Sequence, residues 1–356
     1  MNNLKQYILI IIVISFSFSL TSQVKYSNEF LDLGVGARAL GMGNAYIAQT
    51  GEVTSGYWNP AGLLQLENNI EIGLMHSEYF AGIAAYEYGG IGFRIDDKSA
   101  AGITFLRFGV DDIPDTRQLF DANGNPDYSK IKNFSSTDNA VLLSYARQVG
   151  PKELTIGGNV KIVYRHVGDF ANAIGFGLDL SAQYHKENLK LGVMLRDITG
   201  TWTAWSFNND ELEDVFILTG NDVPTNSIEI TVPRTILAVG YEFSINEKFG
   251  IYPEIDLAIT FDGQRNVLIA SQVLSIDPKI GFEANYRNMI FLRGGIGGFQ
   301  KESEIGGEIK WSMQPNMGVG LKLKKVSLDY ALTNIGDNAS LYSNVFSLKI
   351  GINKRK

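Results

Sequence analysis

The residues of this chain whose types and spacing could do chemistry are few. Oxygen side chains recur at every second position in Asp121-Ala-Asn123-Gly-Asn125-Pro-Asp127. Such spacing can wrap a hard cation like Ca²⁺. The run departs from the usual calcium loop, with Gly at the fourth position rather than the sixth and no closing Glu. Asx turns at a polar loop tip account for the same residues. The three histidines, His76, His166 and His185, fall on separate strand-like segments or their ends. His166 has Asp169 nearby, yet no His-x-x-x-His, Gly-x-Ser-x-Gly or paired-carboxylate motif accompanies it. The expectation is a chain without catalysis and without a cofactor. Cysteine is absent, which excludes disulfides and thiolate metal sites.

Two further groups invite a binding role. Glycines at 34, 36, 41 and 43 imitate a phosphate loop, but no strand-then-helix frame surrounds them. Their density, with the neighbouring alanines, suits close backbone packing in a confined space. Further on, Asn59-Pro60-Ala61 combines a turn-fixing proline with one amide side chain that must find partners if buried. The connection Asp197–Thr231 carries Trp202, Trp205, Phe207 and Phe216 among Asp210, Glu211, Glu213 and Asp214. Exposed aromatics among acids suggest a partner surface. A lid folded over a barrel mouth fits them equally.

The elements that must position these residues are strands. Fourteen strand-like segments follow residue 69, and their connections alternate short and long to the end. The short ones include Asp96–Ser99, Lys186–Asn188 and Lys324; the long ones include Val110–Ser136 and Asp197–Thr231. In an up-and-down barrel, successive connections fall on opposite rims. Tight turns on one rim and long loops on the other mark an outer-membrane β-barrel. Alternation is clearest over Ala173–Tyr184, where Ile174, Phe176, Leu178 and Leu180 oppose Gly175, Gly177, Asp179 and Ser181. The apolar set is expected to face lipid. The other set, with Lys161, Arg165, Lys279, Glu283, Asp329 and Lys349, is expected to line the lumen and pair charges across strands. Replacing Asp179 by Asn is then cheap unless it breaks such a pair. A mean hydropathy of −0.02 fits a barrel, because its two faces cancel.

The chain ends bound the rest. Lys5 followed by apolar Tyr7–Leu20 reads as a signal peptide over residues 1–22, too short to span as a helix. Residues 23–69 then form a hatch, and 70–356 the barrel. A net charge of −7 argues against nucleic acid as a partner.

The block Gly36-Ala-Arg-Ala-Leu-Gly-Met-Gly-Asn-Ala-Tyr46, with Trp58-Asn-Pro-Ala-Gly-Leu63, resembles the N-terminal region of the PorV/PorQ family, a branch of the FadL-like outer-membrane proteins. Val326-Ser-Leu-Asp-Tyr-Ala331 resembles the penultimate strand of that family. The resemblance implies a 14-stranded barrel plugged by an N-terminal hatch bearing Asn59, Pro60 and Ala61. It also implies binding of secreted cargo, or of translocon and surface-attachment components of type IX secretion. The alternative is passive transport of a small hydrophobic molecule past the hatch.

Overall fold

A computed structural model describes residues 27–121, 123–303, 308–334 and 342–353. The expected signal segment and most of the last long connection lie outside the described residues.

Fourteen antiparallel staves close into a barrel. They are β1 (Ile70–Tyr79), β2 (Ala84–Asp96), β3 (Ser99–Asp115), β4 (Lys132–Gln148), β5 (Leu154–Val167) and β6 (Ala171–Lys186). β7 runs in two halves, Leu189–Arg196 and Thr201–Phe207, and β8 in three pieces, Ser227–Thr231, Arg234–Tyr241 and Phe243–Ser244. β9 (Phe249–Thr260), β10 (Ser275–Tyr286), β11 (Ile290–Ser303), β12 (Ile309–Leu323), β13 (Val326–Thr333) and β14 (Ser343–Ile352) complete the set. β1 pairs with β14 from Ile70↔Ile352 to Glu78↔Asn344, so the sheet has no free edge. Closure of this kind lets every backbone group bond within the wall, as lipid demands.

One rim is made of tight turns, and the backbone supplies the left-handed residues they need. Glu187, Arg287, Asn288 and Lys324 all have φ between 52° and 54°. The other rim carries the long connections. There β3 and β4 extend further than the alternation of the sequence predicts, pairing out to Asp115↔Lys132 past a bulge between Val110 and Ile113.

The faces follow the period of two. Ile174 and Leu180 are 66% and 49% exposed on the outer wall, whereas Asp179 between them is 3% exposed. Leu178 shares the outer face. Leu178→Arg is expected to cost about 2–4 kcal/mol at the bilayer midplane. A urea titration of folding checks this, and an unchanged midpoint would contradict the assignment of faces.

β7 and β8 break at the same height. Arg196 pairs with Arg234 and Thr201 with Thr231, so Asp197–Gly200 face only Val232 and Pro233. Pro233 has no amide to donate, and the surplus residues bulge. The bulge turns Asp197 inward, where Lys161 Nζ lies 2.6 Å away. Lys161 also reaches Asp179 at 3.2 Å, and the Asp197 amide donates to the same Asp179 oxygen at 2.9 Å. Asp179 therefore falls under the exception, not the rule, of a cheap substitution.

Candidate functional site

Residues 27–69 fill the lumen as a plug. Gly-Ala spacing gives this segment its close approach to the wall. Helix α1 (Ala37–Gly41) lies against β12, where a Cβ on Gly41 would stand 3.0 Å from the Gly318 Cα and one on Gly318 3.1 Å from the Gly41 Cα. A Cβ on Gly43 would meet the Ile296 amide nitrogen at 2.6 Å, and one on Gly281 or Gly295 would strike Met42. Plug and wall thus meet backbone to backbone along a seam of glycines.

Charge holds the seam. Arg38 of α1 makes a bidentate pair with Glu283 of β10 at 2.8 and 2.7 Å, and reaches Glu52 of the plug at 3.3 Å. Arg293 bonds Glu283 and Asp329, each at 2.6 Å. Lys349 pairs with Glu52. Burial alone would raise the Glu52 carboxyl; Lys349 and Arg38 beside it outweigh burial and hold it well below the usual carboxylate range. Two staves along from Glu283, Asp32 of the plug pairs with Arg234 of β8 at 2.5 Å and with Arg196 of β7 at 3.6 Å.

Two acids of β9 bind the plug backbone directly. Asp256 accepts from the amides of Tyr46 and Ile47 at 2.9 and 3.1 Å. Glu254 accepts from those of Ala48 and Gln49 at 2.6 and 3.2 Å. Four consecutive amides that would otherwise be buried unpaired are satisfied this way. Sequence reasoning missed both residues. Their signal was the alternation Glu254, Asp256 against Ile255, Leu257 in β9.

Asn59 sits at the start of helix α2's exit (α2, Ser55–Trp58), with φ −159° and ψ 97°. Its Oδ1 accepts from the Ala61 amide at 3.2 Å; its Nδ2 donates to the Ile47 carbonyl at 3.0 Å and the Ala182 carbonyl of β6 at 3.3 Å. Pro60 opens the following 3₁₀ turn, Pro60–Gln65, and the Ala61 amide also donates to Ser181 Oγ at 3.1 Å. Asn59→Ala removes these bonds while the Ala61 amide keeps Ser181 and the Ile47 carbonyl keeps Gln183, at an expected cost of about 1–3 kcal/mol. Faster amide exchange over 57–65, with the wall strands unchanged, is the result to look for; uniform slow exchange contradicts it.

Cavities approach the seam from both ends. At the long-loop rim one of about 520 Å³ descends to Leu40 and Gly43. At the short-turn rim one of about 290 Å³ rises to Arg38 and Gln49. Between them stands little more than α1 and the loop after it. In the upper cavity, burial and the neighbouring Asp32 push Glu29 up to about 7. On the outside of the wall a concave groove of about 1000 Å³ crosses β11–β14 and β1–β3, lined by apolar groups such as Leu74, Phe105, Leu328 and Phe346.

The other sequence-derived candidates do not assemble. Asp121 spends its Oδ1 on the amides of Asn123 and Asn125, at 2.8 and 2.9 Å, and Asp127 caps Ser129. These are Asx turns, the arrangement a polar loop tip adopts for its own backbone. Among the described residues no group of three or more His, Asp or Glu side chains is placed to hold a metal. The aromatic connection is largely wall. Trp202 lies on the outer face of β7, while Trp205 and Phe207 point inward, with Arg165 stacked 4.9 Å over Trp205. Phe216 belongs to a separate helix, α3 (Asn209–Leu218). The four aromatics therefore share no single partner-binding surface. His166 meets Asn172 at 2.7 Å and His76 meets Glu87 at 2.7 Å, both on the outer wall.

A closed 14-stranded antiparallel barrel with its N-terminal segment packed in the lumen defines the class: the FadL-type barrel. Solved structures share it across nearly the whole chain. The CymD monoaromatic hydrocarbon channel matches with a TM-score of 0.59 at 11% identity, over 91% of this chain and 99% of its own. The Pseudomonas putida toluene transporter TodX matches at 0.55 and 13%, over 92% and 98%. A Pseudomonas aeruginosa FadL homologue matches at 0.50 and 10%, over 88% and 97%. At such identities the likeness establishes the fold. No family model matches the chain, and no curated protein matches its sequence.

These neighbours correct the functional expectation. The docking role, with secreted cargo or type IX secretion components as partners, gives way: the barrels that share this architecture are channels and transporters of small molecules by their descriptions. The PorV/PorQ branch receives no support from them, and the dispersal of Trp202, Trp205, Phe207 and Phe216 removes the proposed docking loop.

Proposed function

We propose that this chain is a passive channel for small, largely apolar molecules, set in the lipid of a Gram-negative outer membrane and performing no reaction. The observation that carries the reading is the thin septum. Two cavities, of about 520 and 290 Å³, face each other across α1 and the glycine seam. At the glycine seam itself few side chains interdigitate, so the seating of α1 there leans on ion pairs such as Arg38–Glu283, while the rest of the plug packs in an apolar cluster with wall residues such as Met75, Tyr86 and Leu106. Small displacements of α1 would join the two cavities without unfolding the wall. The hydrocarbon channels and toluene transporters of the same fold support the choice of solute. The closed ladder from β14 through β1 to β2 favours an axial path at that side of the barrel.

The test is influx of an apolar fluorescent dye, N-phenylnaphthylamine, into Gram-negative host cells displaying the barrel. Influx should rise with the amount of folded barrel in the outer membrane. Influx equal to that of cells displaying an unrelated closed barrel would refute the proposal.

A further inference from the structure

Rows of register partners wind round this wall as a shallow helix, and they fix the height of each outward side chain. From His76 the ladders lead back over seven staves to Phe243, beside a short turn of β8. Forward they lead over seven staves to Ile228, on the long-loop side of the same β8. The row climbs fifteen residues in fourteen steps, close to one residue per stave, and His76 stands halfway between its ends. By that count the height of His76 is held by Phe105 on β3, Val160 on β5 and Leu257 on β9, all outward and apolar. Two residues higher come Ile162 and Ile259, again outward and apolar.

On β1–β3 the same depth is charged. Glu78 lines up with Gly109 of β3 through Ala85, and Arg107 lies two residues below Gly109. The climb over two staves therefore brings Glu78 and Arg107 to one height, on either side of β2. His76 bonds Glu87 at 2.7 Å and stands 3.7 Å from Glu78; Arg107 bonds Asp111 at 3.2 Å. The side chains of Glu78 and His76 are still 62% and 49% exposed. The apolar band of such a wall is about 25 Å tall, and two residues of strand rise add only about 5 Å along the barrel axis, so the patch lies inside it. Exposed ionisable groups at that depth face hydrocarbon and call for cover.

We propose that this face binds a second copy of the chain, forming a twofold dimer with β2 on the axis. Two copies in one bilayer are related by rotation about the membrane normal, which preserves heights. β1 of each copy then meets β3 of the other, so Glu78 meets Arg107 twice, and His76 meets the ring of Phe105. On β2 the outward Ala85 and Gly89 are small, and a Cβ on Gly89 would find only Leu74, at 3.9 Å, so the two backbones can approach closely. Glu87 meets itself across the axis, but His76 already answers it. An amine-headed lipid or a foreign membrane protein would cover the acids as well; neither accounts for opposite charges at equal height on both sides of β2. The dimer is independent of the channel reading.

Cysteine crosslinking in intact outer membranes tests the dimer, since the chain has no cysteine of its own. Ala85→Cys, on the axis, should join two copies through a short bismaleimide and give a band of twice the chain's mass. Val160→Cys, on β5, should not. Glu78→Arg in the Ala85→Cys chain should lower the linked yield at least about tenfold, because it sets like charges together at two places. Adding Arg107→Glu should restore the yield, which a merely structural role of Glu78 would not do. Heat-shifted gel mobility of each variant checks that its barrel is folded. Equal linkage in the Ala85→Cys and Val160→Cys chains, linkage unmoved by Glu78→Arg, or a double variant as weak as the single would overturn the dimer. Linkage only to a protein of another mass would overturn it in favour of a foreign partner, and no linkage at all in favour of lipid.

Discussion

Lys161→Met should destabilise the barrel by about 3–5 kcal/mol, the cost of breaking a buried pair by removing one partner. Lys161 is buried with only 4% of its side chain exposed, between Asp179 at 3.2 Å and Asp197 at 2.6 Å. Without the ammonium, two carboxylates of adjacent staves face each other at the point where β7 breaks. Arg196 lies nearby but is engaged with Asp32 and with carbonyls of Leu31 and Tyr57. The bulge at 197–200 should open before the rest of the wall. A denaturant midpoint reports the cost, and adding Asp197→Asn should recover part of it. A variant as stable as the parent would mean that the cluster is solvated and that the bulge is held by its backbone alone.

Arg38→Met should have the second large effect, and it should be confined to the plug. Arg38 is the plug's bidentate link to the wall. After its removal Glu283 keeps Arg293, and Glu52 keeps Lys349, so neither acid is stranded. The wall network therefore survives while α1 loses its anchor. A loss of about 1.5–3 kcal/mol in the local opening energy is expected, the worth of hydrogen bonds to charged groups, since no acid is left unpaired. Amide exchange over 37–49 should accelerate roughly ten- to a hundredfold by that figure, with the β-strands unaffected, and dye influx should rise. Exchange that accelerates equally in plug and wall would show that the pair supports the barrel as a whole.

The wall was legible in the sequence because period two and loop length are both one-dimensional signals. Ile174, Phe176, Leu178 and Leu180 face outward as their alternation requires. The pair Lys161–Asp179 follows from like parity on neighbouring staves, and Arg293–Asp329 reaches across Gly320 of the stave between them. The plug was legible only as a piece of Gly-rich chain. Its partners depend on which residue of 27–69 meets which stave, and no local pattern encodes that: Arg38 to Glu283 spans 245 residues. The aromatic connection was misjudged for a different reason. Thr201-Trp-Thr-Ala-Trp-Ser-Phe207 alternates correctly, with Thr201 and Thr203 buried and Trp202 exposed. The break at Asp197–Gly200 hides the continuation of the strand, so wall residues read as a loop surface in the sequence. The Asx turns at Asp121 and Asp127 were foreseeable from composition, since Asn, Asp and Gly satisfy their own backbones at loop tips.

Solute is expected to pass where the plug meets the wall. The chain has no cysteine, so a reversible lock can be placed there without interference. Gly41→Cys with Gly318→Cys suits this purpose, because the would-be Cβ of each lies 3.0–3.1 Å from the other's Cα. Small shifts bring the pair within the Cβ separation a disulfide requires, about 3.5–4.5 Å. The measurement is dye influx through the double variant, oxidised and then reduced. Influx that stops on oxidation and returns on reduction is the predicted result. Equal influx in both states would contradict the account, since molecules would then be crossing without moving the plug.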